Sequence, residues 1–490
     1  MDIGNIFQQW DFTGTVPLPY RVLLMGCIGI FAWGSNIHIL SYLRVDVSNL
    51  LFSSPPLSGI YTNHPRHTRD RFVNKSSPLS ALYRSTYTLG LAFLAMVLIN
   101  MWMYKWVVAG SVANIQKNAS GRPGSTVANT GSTKGGMGLV GNPRAGIAVP
   151  ILGYMTIVFM IFIPFNVLFK KERYRFLRSV KKALFSGLKS DVSFADVILA
   201  DILTSFARVF GDLVVVLCLM FLDWDGTRGD ACYGSILVPI MTSIPYCIRL
   251  RQCISEYMES NYTTDRHLLN ALKYATAFPV IIISSMQKTA KAASVKGLEY
   301  DGYLSDNSLF RLWLFFVALN SFYSFYWDIY HDWNLIQIQP AGRGAASGLM
   351  SPTTPTPMTE ISKGANVNSS SSNISINAFQ RLRRRFGMRT CLHYENPKFY
   401  YMAAILDFLL RTTWMLKLVS NIQIEEYEGG VFTMQCLEVL RRWIWVIFRL
   451  ESEMVKRVGY NDAMVGGASH SANASGGIAG LDSMSDNKDG

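Results

Sequence analysis

The chain has 490 residues and a formal charge of +13, from 46 Lys+Arg against 33 Asp+Glu. Half of its residues are hydrophobic, mean hydropathy is +0.19, and only 16 % are charged, where a soluble domain carries about 25 %. A basic balance alone suggests nucleic acid. Apolar residues gathered in blocks exclude a soluble nucleic-acid binder and favour a polytopic membrane protein with basic residues in its cytosolic loops.

A helix needs about 20 mostly apolar residues to cross a bilayer. Three clean runs come first, at 18–43, 87–109 and 147–169. Six that carry charges follow, at 197–222, 234–253, 268–287, 308–330, 399–420 and 432–449. The expected fold is an all-α polytopic membrane protein of about nine transmembrane helices. Met1 to Tyr20 hold no Lys or Arg, so a signal peptide's basic flank is missing and the first span is expected to remain as an anchor.

Lys and Arg collect between spans one and two (Arg44, Arg66, Arg69, Arg71, Lys75, Arg84), over Lys170–Lys189, and in Arg381, Arg383, Arg384, Arg385 and Arg389. Glu425-Glu426-Tyr427-Glu428 is acidic instead. With nine spans, the basic segments share one side if the N-terminus is lumenal and the C-terminus cytosolic. The loop 110–146, with four basic residues, is a mild exception, and its Asn118-Ala119-Ser120 is a glycosylation sequon that this topology exposes to the lumen.

The chain divides into three N-terminal spans (1–169), a segment at 170–190, a six-helix region (191–455) and a tail (456–490). In Lys171–Leu188 aromatic and aliphatic residues alternate with cations at helical spacing, which predicts a basic amphipathic helix on the cytosolic membrane surface; a solvated basic linker is the plainer reading. A cytosolic loop at about 340–378 and the tail, Ser/Gly/Asn-rich from Gly466, are expected to be disordered. No two of the seven cysteines form a CxxC pair and no His pair has HExxH spacing, which argues against a disulfide framework and against a zinc site.

Ionisable groups inside a membrane cost roughly 2.5–3.5 kcal/mol each at its centre and persist where they pair or line a polar path. Asp201, Thr204, Ser205, Arg208 and Asp212 are spaced to share one face of the fourth span. Asn270, Lys273 and Tyr274 lie in the sixth, and Asp328 and Asp332 end the seventh at i,i+4. Asp407, Arg411 and Trp414 stripe the eighth, and Glu438, Arg441 and Arg442 the ninth. Singly, an Asp–Arg pair reads as a packing clamp, Asp328, Asp332 or Arg442 as a snorkelling span end, and Tyr274 or Trp414 as an interior aromatic. Five stripes together point to a polar conduit. Arginine forks and a lysine suit a tetrahedral oxyanion; read the other way, the carboxylates would bind a cation with the arginines as counterions.

These residues sit in motifs that resemble the EXS family. Phe194-Ala195-Asp196 runs into Asp201-Ile202-Leu203-Thr204-Ser205; Ile244-Pro245-Tyr246-Cys247-Ile248-Arg249 precedes Arg251-Gln252-Cys253; and His267 to Tyr274 follows. Trp327-Asp328, Asp332-Trp333, Glu438-Val439-Leu440-Arg441-Arg442-Trp443 and Phe448-Arg449-Leu450-Glu451 complete the order over about 190–455. The family contains phosphate exporters with an N-terminal SPX domain and a shorter, ER-retention-defective Golgi branch. The chain starts almost at a span, leaves no room for an SPX domain, and carries Pro17-Leu18-Pro19-Tyr20-Arg21 and Asn36-Ile37-His38, so it looks like the shorter branch.

The resemblance implies that a phosphate path runs along Asp201, Thr204, Lys273, Tyr274, Asp328, Asp332, Arg411, Trp414, Glu438, Arg441 and Arg442, with Arg208, Asp212, Arg249 and Asp407 as secondary candidates. Asp328 and Trp414 are the gating candidates. Thr204 replaces an asparagine of the exporters, Ala207 replaces a serine, and Arg208 adds a cation. The implied function is a transporter or channel returning inorganic phosphate from Golgi lumen to cytosol, in support of glycosylation and of retention of Golgi glycosyltransferases and ER lumenal proteins. The rival reading is a sorting adaptor without transport, using Lys170–Lys189 and Arg381–Arg389. Glycosyltransferase tails, coat components and a second copy of the chain are the candidate partners besides phosphate and the bilayer. No nucleic acid, metal or cofactor is expected, and no His–Ser or His–Asp constellation within the spans suggests an enzyme.

Overall fold

A computed structural model describes residues 12–52, 78–120, 143–222, 229–295, 305–338, 386–389, 392–394, 396–415 and 428–476. The expected disordered loop at about 340–378, Arg66 to Lys75, Arg381 to Arg385, Glu425 to Tyr427 and the tail beyond 476 lie outside these residues. The chain forms two compact units, one of residues 1–325 and 405–454, the other of 326–404 and 455–490.

The fold class is all-α. Helices α1 (Leu18–Tyr42), α2 (Pro78–Ser120) and α3 (Pro143–Phe162) come first, then α4 (Lys170–Phe185), α5 (Phe194–Ser205) and α6 (Ala207–Phe221). They are followed by α7 (Leu237–Glu259), α8 (Asp265–Ala275), α9 (Ala277–Val295), α10 (Asp306–Trp327), α11 (Lys398–Arg411) and α12 (Glu428–Gly476). Besides helix, the described residues hold a ribbon in the second unit, where β1 (Ile336–Ile338) pairs antiparallel with β2 (Phe386–Met388).

Five stretches among the described residues are long and apolar enough to cross a membrane: Leu18–Tyr42, Ser80–Ala109, Ala231–Glu259, Asp265–Ser294 and Asp306–Asp332. The bent pair α5–α6 makes a sixth if it counts as one span. The other expected spans fall on Ile147–Phe162, α11 and the first turns of α12, which are too short or too charged to qualify on length and composition. The tail was expected to be unpacked from 456, whereas α12 continues to Gly476.

The first three helices are joined by a buried polar clamp. Tyr20 donates its hydroxyl to Asn100 Oδ1 at 2.7 Å, Asn100 Nδ2 donates to the Val149 carbonyl at 3.0 Å, and Tyr154 donates to the Pro19 carbonyl at 2.9 Å. Tyr20, Leu23, Cys27, Val97, Tyr104 and Ile157 pack around it. Where lipid tails are as apolar as leucine, such interhelical bonds supply specificity that apolar burial does not.

One expectation is corrected here. Cys218, near the end of α6, forms a disulfide with Cys232 in the short helix Gly229–Tyr233, their Cα atoms 5.7 Å apart. The cysteine count argued against disulfides because a sequence separation of 14 gives no CxxC signal. Only the turn-back of the chain after α6 brings the two thiols together.

Candidate functional site

In the first unit Asp201, Lys273 and Arg411 lie near helix ends and gather with Arg249, Glu438, Arg441 and Arg442 from the interiors of α7 and α12. Between α5 and α6 the chain bends by 61° at Phe206, with no Gly or Pro to cause it. Thr204 instead donates its hydroxyl to the Asp201 carbonyl at 2.7 Å, a side-chain bond that competes with the helical ladder. The same device recurs where α8 gives way to α9, with Thr276 donating to the Lys273 carbonyl at 2.7 Å, and just past α11, with Thr413 donating to the Leu410 carbonyl at 3.1 Å. Three threonines thus bond back by three residues beside Asp201, Lys273 and Arg411. Helices interrupted at membrane depth are tolerated where they are buried in protein or line a polar path. Close packing of α1 holds the first break, since a Cβ at Gly29 would stand 2.6 Å from the Phe206 ring.

Asp201 is the centre of one half of the cluster. Its Oδ1 accepts from Arg249 Nε at 2.9 Å and from the Tyr274 hydroxyl at 2.6 Å. Arg249 also donates Nη1 to Gln252 Oε1 at 2.6 Å and lies 4.8 Å from the Tyr274 ring centre. Lys273 Nζ sits 5.4 Å from the same ring, within electrostatic reach of Asp201. Asp201, Arg249, Gln252, Lys273 and Tyr274 are all buried.

Arg442 links this half to the other. Its Nε donates to Ser205 Oγ at 3.0 Å and its Nη2 to Thr204 Oγ1 at 3.1 Å, and its guanidinium lies 4.5 Å from the Trp445 ring. Ser205 donates its own hydroxyl to Glu438 Oε1 at 2.9 Å. Arg441 grips Glu438 through Nε at 3.0 Å and through Nη2, and sets Nη1 3.6 Å from Asp407 Oδ1. Arg411 Nε closes on Asp407 Oδ2 at 3.0 Å. Trp414 donates Nε1 to Ser321 Oγ at 3.1 Å and stands edge-on to Trp313.

Five cations (Arg249, Lys273, Arg411, Arg441, Arg442) therefore meet three carboxylates (Asp201, Asp407, Glu438) among the described residues of this cluster. Arg442 Nη1 is buried and finds no hydrogen-bond acceptor among the described residues. A buried guanidinium N–H without an acceptor is costly, so Arg442 Nη1 is a donor that an added acceptor could fill.

Not every expected residue is drawn in. The one-face reading of the fourth span holds through Ser205 and fails beyond it, because the bend at Phe206 redirects α6. Arg208 is exposed, and Asp212 accepts from Gln435 Nε2 instead. Asp328 and Asp332 are buried in the second unit, at the two ends of a π-helical turn closed by Trp333 N–H donating to the Asp328 carbonyl at 2.8 Å. In that unit Arg389 is buried, 5.5 Å from the Tyr400 ring. Asn118 lies in the last turn of α2. Arg442 is buried at 6 % exposure, which removes the snorkelling alternative for it.

Among the participants that escaped the sequence reading are Gln252, Thr276 and Ser321. Gln252 follows Arg249 at i+3, so their shared face of α7 was a usable signal. Thr276, which also donates to Asn320 Oδ1 at 2.9 Å, and Ser321 carried none, since neutral residues in apolar runs do not stand out.

Comparison with known proteins adds to this geometry. The EXS family model matches residues 16–455. Protein ERD1 homolog 1 of Schizosaccharomyces pombe is 25 % identical over 458 residues, which cover 92 % of this chain and 94 % of that protein. Solute carrier family 53 member 1 of Mus musculus is 25 % identical over 325 residues, 63 % of this chain and 39 % of the carrier. SPX and EXS domain-containing protein 3 of Dictyostelium discoideum is 24 % identical over 321 residues, 64 % of this chain and 28 % of its own. With the motifs in order and the family model running through every helix of the charged cluster, the chain belongs to the EXS family.

Proposed function

We propose that this protein conducts inorganic phosphate across the Golgi membrane from lumen to cytosol, and that it thereby supports glycosylation and the retention of Golgi glycosyltransferases and ER lumenal proteins. The observation that carries the proposal is the buried Arg442 Nη1, which finds no acceptor among the described residues, in one cluster with Arg441, Arg411 and Lys273. Hydrogen phosphate carries two negative charges and accepts several hydrogen bonds, so it fills that donor and answers the cations gathered with it. Arg442, Arg441, Arg411 and Lys273 are the proposed binding cations. Asp201, Asp407 and Glu438 hold the arginines in place and keep affinity low enough for release. Trp414, and Asp328 in the second unit, are the proposed gating residues.

Similarity to a solute carrier supports transport, and similarity to an ERD1 homologue supports the retention role. The Cys218–Cys232 disulfide supports the orientation, because disulfides persist in an oxidising lumen, the side on which a nine-span topology places that turn. Phosphate flux in proteoliposomes is the test. Flux should collapse in the doubly substituted protein, Arg441→Ala with Arg442→Ala. Wild-type flux from a folded double variant would remove the site assignment and leave a sorting adaptor as the better reading.

A further inference from the structure

Helix α4 takes no part in the buried cluster, yet it is the most strongly charged helix among the described residues. Its 16 residues carry Lys170, Lys171, Arg173, Arg175, Arg178, Lys181 and Lys182 against the single acid Glu172. Lys171, Arg175, Arg178 and Lys181 follow one another by four, three and three residues, which aligns them along one face. Aromatic residues stand exposed among them, Tyr174 at 40 %, Phe176 at 55 % and Phe185 at 78 %. Lys170 Nζ lies 5.7 Å from the Tyr174 ring.

The seventh cation, Arg173, is buried and does something different. Its guanidinium donates to the carbonyls of Met160, Ile161, Ile163, Val167 and Leu168, so it caps the end of α3 and fixes the turn into α4. Leu168 and Phe169 complete that turn in the left-handed region, at φ 53° and 52°. At the other end of α4, Arg251 donates to the Ala183 and Leu184 carbonyls, and Lys182 pairs with Asp196 at 2.6 Å. The helix is therefore docked at both ends with its orientation set. It begins where the apolar helix α3 stops, next to the exposed Phe165, Val167 and Phe169.

We propose that the outward face of α4 is a binding surface for the anionic phospholipid headgroups of the membrane in which the protein sits. Charge complementarity names the occupant: an arc of cations, nearly free of acid, beside exposed rings fits a surface that is anionic at headgroup level and apolar just below it. A soluble acidic partner would leave Phe176 and Phe185 in water. A fixed orientation means that the face is presented without an ordering cost.

The experiment compares amide hydrogen exchange of the full chain in nanodiscs of neutral phosphatidylcholine with exchange in nanodiscs holding roughly 30 % phosphatidylserine, a PS-rich surface. Exchange across Tyr174–Phe185 should slow several-fold in the anionic discs, and added salt should reverse the slowing. A variant carrying Lys171→Gln, Arg175→Gln, Arg178→Gln and Lys181→Gln should show no slowing there, with α1 and α6 protected as in the wild type. Equal exchange of wild-type α4 in both discs overturns the proposal, as does slowing of the variant to the wild-type extent. If inorganic phosphate or a free inositol phosphate slows exchange equally in neutral discs, the surface takes soluble phosphates and the lipid assignment is wrong.

Discussion

Removing one member of the Asp201–Arg249 pair should be far more harmful than removing both. Each residue is 2 % exposed, and the two are joined at 2.9 Å. Arg249→Met leaves a buried carboxylate with the Tyr274 hydroxyl as its remaining close donor, at a cost of about 3–5 kcal/mol, the range for breaking a buried ion pair. That is roughly a hundred- to a few-thousand-fold in the folding equilibrium. Asp201→Leu leaves a buried guanidinium beside Gln252 and removes the acceptor that takes the Tyr274 hydroxyl at 2.6 Å, which adds about 1 kcal/mol to a loss of the same size. The double variant Arg249→Met/Asp201→Leu replaces the pair by apolar groups. It leaves the Gln252 oxygen without its Arg249 donor and Lys273 without the Asp201 carboxylate, yet no longer buries one half of the pair alone, so it should be less destabilised than either single variant. Reversible unfolding in mixed micelles, driven by added SDS and read by tryptophan fluorescence, gives all three values. A double variant as unstable as the sum of the single ones would refute the reading of this pair as one coupled unit.

Three further outcomes are expected. Arg442→Lys keeps the charge but loses the planar fork that reaches Thr204, Ser205 and the Trp445 face together, so phosphate flux in liposomes should fall by about tenfold or more at unchanged protein level. Cys218→Ser should cost about 3 kcal/mol for a loop of this length, and maleimide labelling of the wild type should find Cys218 and Cys232 reactive only after reduction. Thr204→Val removes both the hydroxyl bond to the Asp201 carbonyl and an acceptor of Arg442; it should destabilise the fold by about 1–3 kcal/mol in the same micelle titration, and an unchanged stability would deny the hydroxyl a part in the bend.

What the sequence determined by itself is the class of protein and the charged residues of its candidate site. Apolar runs interrupted by a few charges mark a helical membrane protein because the bilayer forbids unpaired charge, so Asp201, Lys273, Asp407, Arg411, Glu438, Arg441 and Arg442 stood out from their surroundings before any fold was known. Pattern along one helix also reached as far as one straight helix reaches, linking Asp201 with Thr204 and Ser205. It could not see the bend at Phe206, which depends on a hydroxyl bonding back to a carbonyl and on Gly29 of α1 lying against the ring. Arg208 and Asp212 were therefore assigned to a face that the folded chain does not keep.

Tertiary structure alone decided which cation meets which carboxylate, because pairs such as Arg249 with Asp201 and Arg442 with Ser205 join residues 48 and 237 positions apart. It also left one donor of the cluster, Arg442 Nη1, buried without an acceptor among the described residues, which no sequence pattern could show. The overall charge of +13 thus has two separate physical origins. Part of it coats exposed segments such as α4. A smaller part lies in the interior of the first unit, in Arg249, Lys273, Arg441 and Arg442.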